Sequence, residues 1–300
     1  MADTRVTQVL STFGAVAFPG VYDTLSARIA ERVGFPMAFV SGYSVAATSI
    51  GEPDMGLLTQ TEMIDRARRI CMSVKIPIIV DADTGYGNAL NVERAVRLLE
   101  RAGANAIQLE DQDFPKRCGH LDDKTLIPAQ EMAGKIKAAV DVRASSETLI
   151  IARTDAIAVE GFDGAVARAA LYRDAGADML FIEAPRQRDE LARVVKQAAG
   201  KVPLMANMVE GGKTPILPAR ELQELGFSLV IFPGGIVRAL AKTAEEFYGS
   251  LKAHGTTDPF LPRMFDFAAL NDLIGTTELM ALGKQYEAVP APDSNKGRRI

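Results

Sequence analysis

The feature of this sequence that most constrains its fold is a regular alternation between short apolar runs and amphipathic segments. Eight apolar runs are rich in β-branched or large side chains, which is typical of strands buried in a parallel sheet. They span residues 15–18, 37–42, 76–83, 106–111, 149–155, 179–184, 203–208 and 229–234. Between the runs, apolar residues recur at helical spacing, as in residues 61–74, where Met63, Ala67 and Ile70 share one face. A strand–helix unit used eight times predicts an α/β fold of the (β/α)8 TIM-barrel type.

An internal similarity supports this prediction. Residues 93–111 resemble residues 167–184. In both segments a predicted helix ends at a glycine, a strand follows, and a glutamate (Glu110 or Glu183) ends the similar part. Repetition of one supersecondary unit explains the match.

The domain organisation predicted from these patterns is a single barrel domain over residues 1–300. The core covers about residues 10–253, and a C-terminal helical extension covers about residues 254–287. The extension has two apolar helices beyond what a minimal barrel needs, and we expect them to cover a partner subunit. Residues 288–300 are expected to form a frayed tail.

Composition excludes several classes of protein. With 34 Lys and Arg against 38 Asp and Glu, the net charge of −4 argues against a nucleic-acid partner, which would require a basic face. We find no long apolar window typical of a membrane span and no secretory signal, so no membrane association is expected. The two cysteines are too few for a disulfide framework. The expected location is the cytoplasm, with reduced thiols.

Polar residues stand at the ends of most of the apolar runs. Because the carboxyl ends of barrel strands build the active site, we expect these side chains to converge on one mouth. The candidates are Ser41, Gly42, Tyr43, Asp81, Asp83, Gln108, Glu110, Arg153, Asp155, Glu183 and Asn207.

Three of these carboxylates predict a metal site. Asp81 and Asp83 lie two apart on one strand, so their side chains project to the same side, and Glu110 follows on the next strand. Hard oxygen ligands without a nearby cysteine or histidine favour Mg²⁺, with Mn²⁺ as the alternative. A competing interpretation is that the carboxylates form ion pairs, for example with Arg153 or Arg117.

A long polar loop, residues 111–125, follows the fourth run. Loops of this kind often act as lids or binding loops. Cys118 lies beside Lys116 and Arg117, and such cations are expected to lower a thiol pKa, as a reactive cysteine requires. The alternative is a mobile surface loop with an incidental cysteine. Cys71, on the apolar face of a predicted helix, is expected to belong to the core.

Glycine pairs follow the last two runs, in residues 211–213 and 233–235. Barrels often bind phosphate at these places, but ordinary turn chemistry explains glycine pairs equally well and is the preferred interpretation. The sequence contains no dinucleotide-binding or P-loop motif.

Several motifs together resemble the isocitrate lyase / phosphoenolpyruvate (PEP) mutase superfamily. They are SGYSVA (41–46), VDADTGYGN (80–88), LEDQ (109–112), KRCGH (116–120), ARTDA (152–156), EAP (183–185) and NMVEGGKTP (207–215). The resemblance implies an α/β barrel, a homotetramer with a C-terminal helix swapped between subunits, and chemistry of enolates of small 2-oxo acids on Mg²⁺. Cys118 in the lid implies the branch that cleaves carbon–carbon bonds.

The expected reaction is cleavage of a 2-hydroxy dicarboxylate similar to 2,3-dimethylmalate into pyruvate and a second carboxylate. Tyr43 and Phe267 depart from the residues typical of methylisocitrate lyases, and Pro233 departs from that of oxaloacetate hydrolases. The alternatives are a 2-methylisocitrate lyase, an oxaloacetate hydrolase or decarboxylase, and a phosphonomutase of the carboxyphosphonoenolpyruvate or PEP type. Arg238 could hold a further carboxylate and keeps the methylisocitrate alternative open.

The resemblance also implies residue roles. Cys118 would protonate the enolate, Arg153 would add positive charge at the substrate oxygen, and the base would be Tyr43, Asp54 or Glu110. The metal would be held by Asp81, Asp83 and Glu110. The implied substrate-binding residues are Ser41, Gly42, Tyr43, Asp54, Gly119, His120, Arg153, Glu183, Asn207 and Arg238.

Overall fold

The computed structural model describes residues 4–121, 123–198 and 202–287. In these residues, eight parallel strands follow one another around a closed barrel. The strands are β1 (Val16–Val21), β2 (Ala38–Val40), β3 (Ile78–Asp81), β4 (Ala106–Glu110), β5 (Leu149–Thr154), β6 (Met179–Ile182), β7 (Leu204–Asn207) and β8 (Leu229–Phe232). The predicted (β/α)8 fold is confirmed.

Helices surround the barrel and alternate with its strands. Up to β8 they are α1 (Arg5–Phe13), α2 (Thr24–Val33), α3 (Gly42–Ser49), α4 (Gln60–Ser73), α5 (Ala89–Ala102), α6 (Ala129–Val142), α7 (Gly161–Asp174), α8 (Arg188–Ala198) and α9 (Ala219–Leu225). After β8 come α10 (Gly235–His254), α11 (Phe267–Ile274) and α12 (Thr276–Glu287). Of the helices in the described residues, none has both the length and the apolar character needed to cross a membrane.

Alternation along the strands separates two apolar layers. One set of side chains packs against the helices, and the other fills the barrel. The buried residues of the inner set are Val6, Val16, Phe18, Met37, Phe39, Ile79, Ala106, Leu149, Ile151, Met179, Phe181, Met205, Leu229 and Ile231. Val6 comes from α1, so this helix contributes to the inner core.

The first strand differs from its prediction. β1 does not end with the apolar run at Phe18 but continues to Val21. Pro19 lies within this strand, and the register with β8 continues through it, with Pro19 opposite Phe232. At Gly20 a Cβ would lie 2.1 Å from the carbonyl oxygen of Pro233, so only glycine permits this close approach.

The chain forms two compact units, one up to Ala241 and one from Lys242 onward. In the second unit, Phe247 packs edge-on against Phe260 at 5.3 Å between ring centroids. Arg263 forms an ion pair of 2.6 Å with Glu246. Two apolar helices occur there as predicted, whereas the predicted tail, residues 288–300, lies outside the described residues. The single-domain organisation and the swapped helix stay predictions.

Candidate active site

The candidate site lies where the inward-facing positions of the strands change from apolar to polar. Asp81 is the next inward position after Ile79, and Arg153 is the next after Ile151. The side chains line a cavity at the carboxyl ends of the strands. Its lining residues are Phe39, Ser41, Tyr43, Asp54, Asp81, Gln108, Cys118, Gly119, His120, Arg153, Phe181, Asn207, Val209, Ile231, Pro233, Gly234 and Arg238.

Every predicted site residue lies in or beside this cavity. Ten of them line it: Ser41, Tyr43, Asp54, Asp81, Cys118, Gly119, His120, Arg153, Asn207 and Arg238. The other four contact residues of the lining. The Gly42 N–H donates to Asp81, the Asp83 N–H donates to Asp81, Glu110 pairs with Arg153, and Glu183 accepts from Asn207. The geometry therefore brings the predicted residues together, while their roles stay predictions.

Two of the proposed metal ligands converge on one point. A Cβ placed on Gly42 would lie 3.1 Å from Asp81 Oδ2 and 3.2 Å from Asp83 Oδ1. Lys116 contacts the same group, with Nζ 2.7 Å from Asp83 Oδ1. Burial raises the pKa of Asp83 to about 7, and repulsion from Asp81 adds to the effect against the attraction of Lys116.

The third proposed ligand faces a different partner. Glu110 Oε2 lies 3.2 Å from Arg153, and Glu110 Oε1 accepts a hydrogen bond of 3.0 Å from Gln112. Burial raises the pKa of Glu110 well above its usual value in spite of Arg153. Within the described residues, no group of three or more His, Cys, Asp or Glu side chains is arranged to hold a metal ion.

The donor chemistry at this point nevertheless fits a hard cation. Asp81 and Asp83 supply converging carboxylate oxygens, and the buried Oε1 of Gln108 has no hydrogen-bond partner in the described part of the chain. The amide of Gln108 donates to Asp81 Oδ1 at 3.1 Å, which orients that carboxylate. Oxygen-only ligands of this kind suit Mg²⁺ or Mn²⁺.

Arg153 is a buried cation surrounded by carboxylates. Its Nε donates to Asp155 Oδ2 at 2.8 Å, and it lies 3.8 Å from Glu183 and 3.2 Å from Glu110. Burial alone would raise the pKa of Asp155, but Arg153 and Lys124 lower it to about 2. The pKa of Glu183 is also lowered, because Arg153 and His120 outweigh the effect of burial. A fixed positive charge therefore faces the cavity.

The described part of the predicted lid, residues 111–121 and 123–125, contributes Cys118, Gly119 and His120 to the lining of this cavity. The Cys118 N–H donates to the Asp54 carbonyl at 3.1 Å, and Lys116 forms an ion pair with the Asp54 carboxylate. Gly119 lies so close to the side chains at the strand ends that an added Cβ would be 2.4 Å from an Arg153 nitrogen and 2.7 Å from Glu183 Cγ. The loop is therefore part of the cavity wall, and the alternative of an unattached surface loop is wrong for this structure.

The expected lowering of the Cys118 pKa is also wrong. Burial raises the pKa of this thiol. The loop cations do not compensate, because Lys116 is paired with Asp54 and Asp83, and Arg117 lies 3.7 Å from Asp123. At neutral pH the sulfur keeps its proton, so Cys118 is equipped to donate a proton.

Comparison with known proteins bears on this arrangement. The phosphoenolpyruvate phosphomutase family profile matches residues 8–251. The chain is 42% identical to 2,3-dimethylmalate lyase from Eubacterium barkeri, over 94% of this chain and 97% of that protein. The chain belongs to the PEP mutase/isocitrate lyase superfamily. The relationship that the motifs predicted is confirmed.

Other members of the superfamily are similar along most of their length. A 2-methylisocitrate lyase from Aeropyrum pernix is 46% identical over 87% of this chain and 83% of that protein. A crystal structure of 2,3-dimethylmalate lyase has a TM-score of 0.88 at 34% identity, with all of both chains covered. A phosphonopyruvate hydrolase solved with oxalate and Mg²⁺ has a TM-score of 0.84 at 30% identity, covering 95% of this chain and 99% of that chain. The superfamily depends on divalent metals, and the sequence relatives named here are carbon–carbon lyases.

Sequence reasoning assigned no role to Lys124 and did not predict the burial of Lys116. Lys116 and Lys124 both belong to the lid and are almost fully buried, at 3% and 7% exposure. Lys124 Nζ donates to Asp155 at 2.9 Å and also to the Gly119 carbonyl, which ties the lid to the barrel. Gln108, one of the residues that the sequence placed at the strand ends, lines the cavity and lies opposite Asp81 in the strand register.

Arg238 is already paired on its own side of the cavity. Its Nη1 donates two hydrogen bonds to Glu210, one of 2.8 Å to Oε2 and one of 2.7 Å to the backbone carbonyl oxygen. Its guanidinium lies 5.6 Å from the Tyr43 ring centroid. A substrate carboxylate would therefore compete with Glu210 for this arginine.

A buried network behind the site supports the strand ends. Asp111 is fully buried and accepts hydrogen bonds of 2.7 Å from Thr154 and Tyr172, and one of 3.0 Å from the Asp155 N–H. Arg168 lies 3.3 Å from the same carboxylate and donates to the carbonyl of Ile127, just after the lid. The network therefore connects β4, β5, α7 and the lid.

We expect Asp111→Asn to lower the free energy of unfolding by about 3 kcal/mol, because it removes one charge from a buried pair and places an N–H₂ group among donors. Denaturant unfolding followed by circular dichroism measures the change. Asp65→Asn is the matched control, since Asp65 forms only exposed ion pairs, which contribute little. Equal stability of the Asp111 variant and the parent would contradict the role given to this network.

Proposed function

We propose that this protein is a Mg²⁺-dependent lyase that cleaves the C2–C3 bond of a 2-hydroxy dicarboxylate similar to 2,3-dimethylmalate, producing pyruvate and propionate. The observation that carries the proposal is the position of Cys118, which the lid holds at a cavity that Arg153 also lines, with burial raising the pKa of the thiol. The identity of 42% with 2,3-dimethylmalate lyase supports this substrate class.

The metal would be held by Asp81 and Asp83, with Glu110 near them. When bound, Mg²⁺ would supply Lewis-acid charge at the C1 carboxylate and the C2 oxygen. The chain itself supplies Arg153, whose charge would stabilise negative charge at the same end of the substrate. Its position is fixed by a two-pronged contact with Asp155.

The remaining cavity residues would bind the two ends of the substrate. Ser41, Gly42 and Tyr43, at the start of α3, would hold the pyruvate end through N–H groups and hydroxyls. The carboxylate of the other product would be held by donors from Gly119, His120 and Asn207. Glu183 would act at this subsite by orienting His120 and Asn207, which both contact it.

Two proton transfers complete the reaction. The C2 hydroxyl loses its proton to Tyr43, Asp54 or Glu110; of the two carboxylates, Asp54 is paired with Lys116 and Glu110 with Arg153. The C2–C3 bonding electrons then remain on C3 as an enolate, and Cys118 gives its proton to that carbon. The docked lid keeps out water that would compete for this step.

A second candidate is cleavage of 2-methylisocitrate to pyruvate and succinate. The identity of 46% with a 2-methylisocitrate lyase favours it. The pairing of Arg238 with Glu210 opposes it, because the third carboxylate of that substrate would have to displace Glu210.

The test is proton NMR of the protein with Mg²⁺ and separate samples of 2,3-dimethylmalate, 2-methylisocitrate and oxaloacetate, each with a chelator control. Pyruvate and propionate, formed only without the chelator, are the expected result. Pyruvate and succinate as the main products would transfer the proposal to the second candidate. No product from any of the three, or equal product with the chelator, would overturn the proposal.

We further propose that the protein is a cytoplasmic homotetramer, as its superfamily resemblance implies, and that its partners are small carboxylic acids rather than nucleic acids or membranes. Sedimentation of the purified chain tests the tetramer directly.

A further inference from the structure

The turn after β7 contacts the lid at two residues. The backbone N–H of Lys213 donates to His120 Nδ1 at 2.9 Å, and Lys213 Nζ donates to the Leu121 carbonyl at 3.4 Å. This turn contains the glycine pair of residues 211–213, for which the sequence favoured an ordinary turn over a phosphate site. Its Lys213 N–H is used by a lid side chain, so this donor is not directed at a phosphate.

Gly212 lies directly against the imidazole ring of His120. A Cβ on Gly212 would lie 2.6 Å from His120 Nδ1 and 2.8 Å from Cε1, closer than real Cβ contacts. Unlike Gly211, Gly212 does not have a positive φ. No positive φ requires glycine here, and the closest contacts of an added Cβ are with the His120 ring, followed by the Val209 carbonyl oxygen at 3.0 Å.

The hydrogen bond from Lys213 also orients His120. Because Nδ1 accepts a backbone N–H, the proton of the neutral ring is on Nε2. Nε2 lies 2.8 Å from Glu183 Oε1, and the other oxygen of Glu183 accepts from Asn207 at 3.1 Å. The turn thus determines which ring nitrogen faces the carboxylate group of the cavity.

We propose that Gly212 and Lys213 are positioning residues: the turn they form receives the lid and holds the His120 ring with Nε2 beside Glu183. Gly212 supplies the space and Lys213 supplies the backbone donor. Other lid contacts, from Cys118 to Asp54 and from Lys124 to Gly119, do not involve this turn, so loss of the turn contact would loosen the segment around His120 and leave the rest of the lid attached. That His120 then binds substrate rests on the proposed function, but lid attachment does not.

The experiment is amide hydrogen exchange, measured by mass spectrometry on lid peptides of the whole protein without added ligand. We expect Gly212→Ala to speed exchange in the lid about fivefold to tenfold, the effect of losing about one hydrogen bond. Gly134→Ala is the matched control, because Gly134 lies in α6 with nothing within 4 Å of an added Cβ. In this control variant the lid peptides should exchange at the parental rate.

A double-mutant cycle separates positioning from a general loss of structure. If Gly212 acts through His120, Gly212→Ala should not speed lid exchange further in a His120→Ala background. Additive effects of the two substitutions, or no effect of Gly212→Ala in the parent, would overturn the proposal.

Kinetics add a readout that depends on the function. With a substrate that the parent cleaves, Gly212→Ala should lower kcat/KM about tenfold or more, while Gly134→Ala should leave it unchanged. If the parent cleaves none of the tested acids, the proposed function fails, but the hydrogen-exchange result still decides whether this turn receives the lid.

Discussion

Cys118→Ser should reduce kcat by a factor of about 10² to 10⁴ while leaving ligand binding intact, because a positioned general acid typically contributes that much. Serine has nearly the same shape as cysteine, but its hydroxyl is a far weaker acid than a thiol. The lid contacts of this residue use its backbone N–H, which donates to Asp54, so the substitution does not remove them. The loss should therefore be confined to protonation of the carbanion.

The measurement combines two assays on the same variant. Steady-state kinetics give kcat, and calorimetric titration with oxalate in the presence of Mg²⁺ gives the affinity of the cavity for a small dicarboxylate. Cys71→Ser is the matched control, because Cys71 packs in α4 away from the cavity and should retain parental kcat. Parental kcat in Cys118→Ser would exclude the thiol as the essential acid.

Much of the site was predictable because a barrel strand alternates strictly. Once the apolar runs were assigned to strands, Asp81 and Glu110 had to stand at the carboxyl ends. The prediction that Asp83 lies on the same strand as Asp81 is wrong, because β3 ends at Asp81 and Asp83 follows it with a positive φ of 48°. The same alternation placed Arg153 and Glu183 on the inner face. Local pattern and known barrel geometry were enough for these residues.

Partners across the chain were not predictable in this way. Lys116 pairs with Asp54, 62 residues earlier, and no local pattern indicates which carboxylate a loop lysine will meet. This pairing is also why the expected lowering of the Cys118 pKa failed, since a cation held between two carboxylates does little for a neighbouring thiol. A charged loop residue is exposed in most proteins, so the burial of Lys124 carried no signal in the sequence.

The role of Gly212 was likewise not predictable from the sequence, because it depends on a contact with a distant residue. In the sequence it is one of a pair in a turn, and turn chemistry explains it fully. Only the position of His120, brought there by the lid, shows that the missing side chain is required by a distant contact.

Arg153→Met should abolish turnover and lower the free energy of unfolding by about 3–5 kcal/mol, the usual effect of removing one partner from buried charges. The guanidinium is 8% exposed and faces Asp155, Glu110 and Glu183. Without it, these buried carboxylates would repel one another with only the lid residues Lys124 and His120 beside them. Glu110 and Glu183 would then be expected to take up protons on folding, since only neutralisation relieves the repulsion.

Two further variants separate catalysis from stability. Arg168→Met removes another buried arginine, 7% exposed, whose carboxylate partners Asp111 and Glu160 lie outside the cavity lining. It should lose comparable stability while the folded fraction keeps its kcat. Arg153→Lys keeps the charge but loses the bidentate contact with Asp155, so compared with Arg153→Met it should regain part of the stability and little of the kcat.

Denaturant unfolding gives the stability of each variant, and kcat is measured at a temperature where all are folded. Full activity in Arg153→Lys would mean that charge alone is needed at this position, and loss of activity in Arg168→Met to the same extent would mean that Arg153 acts through the fold rather than on the substrate.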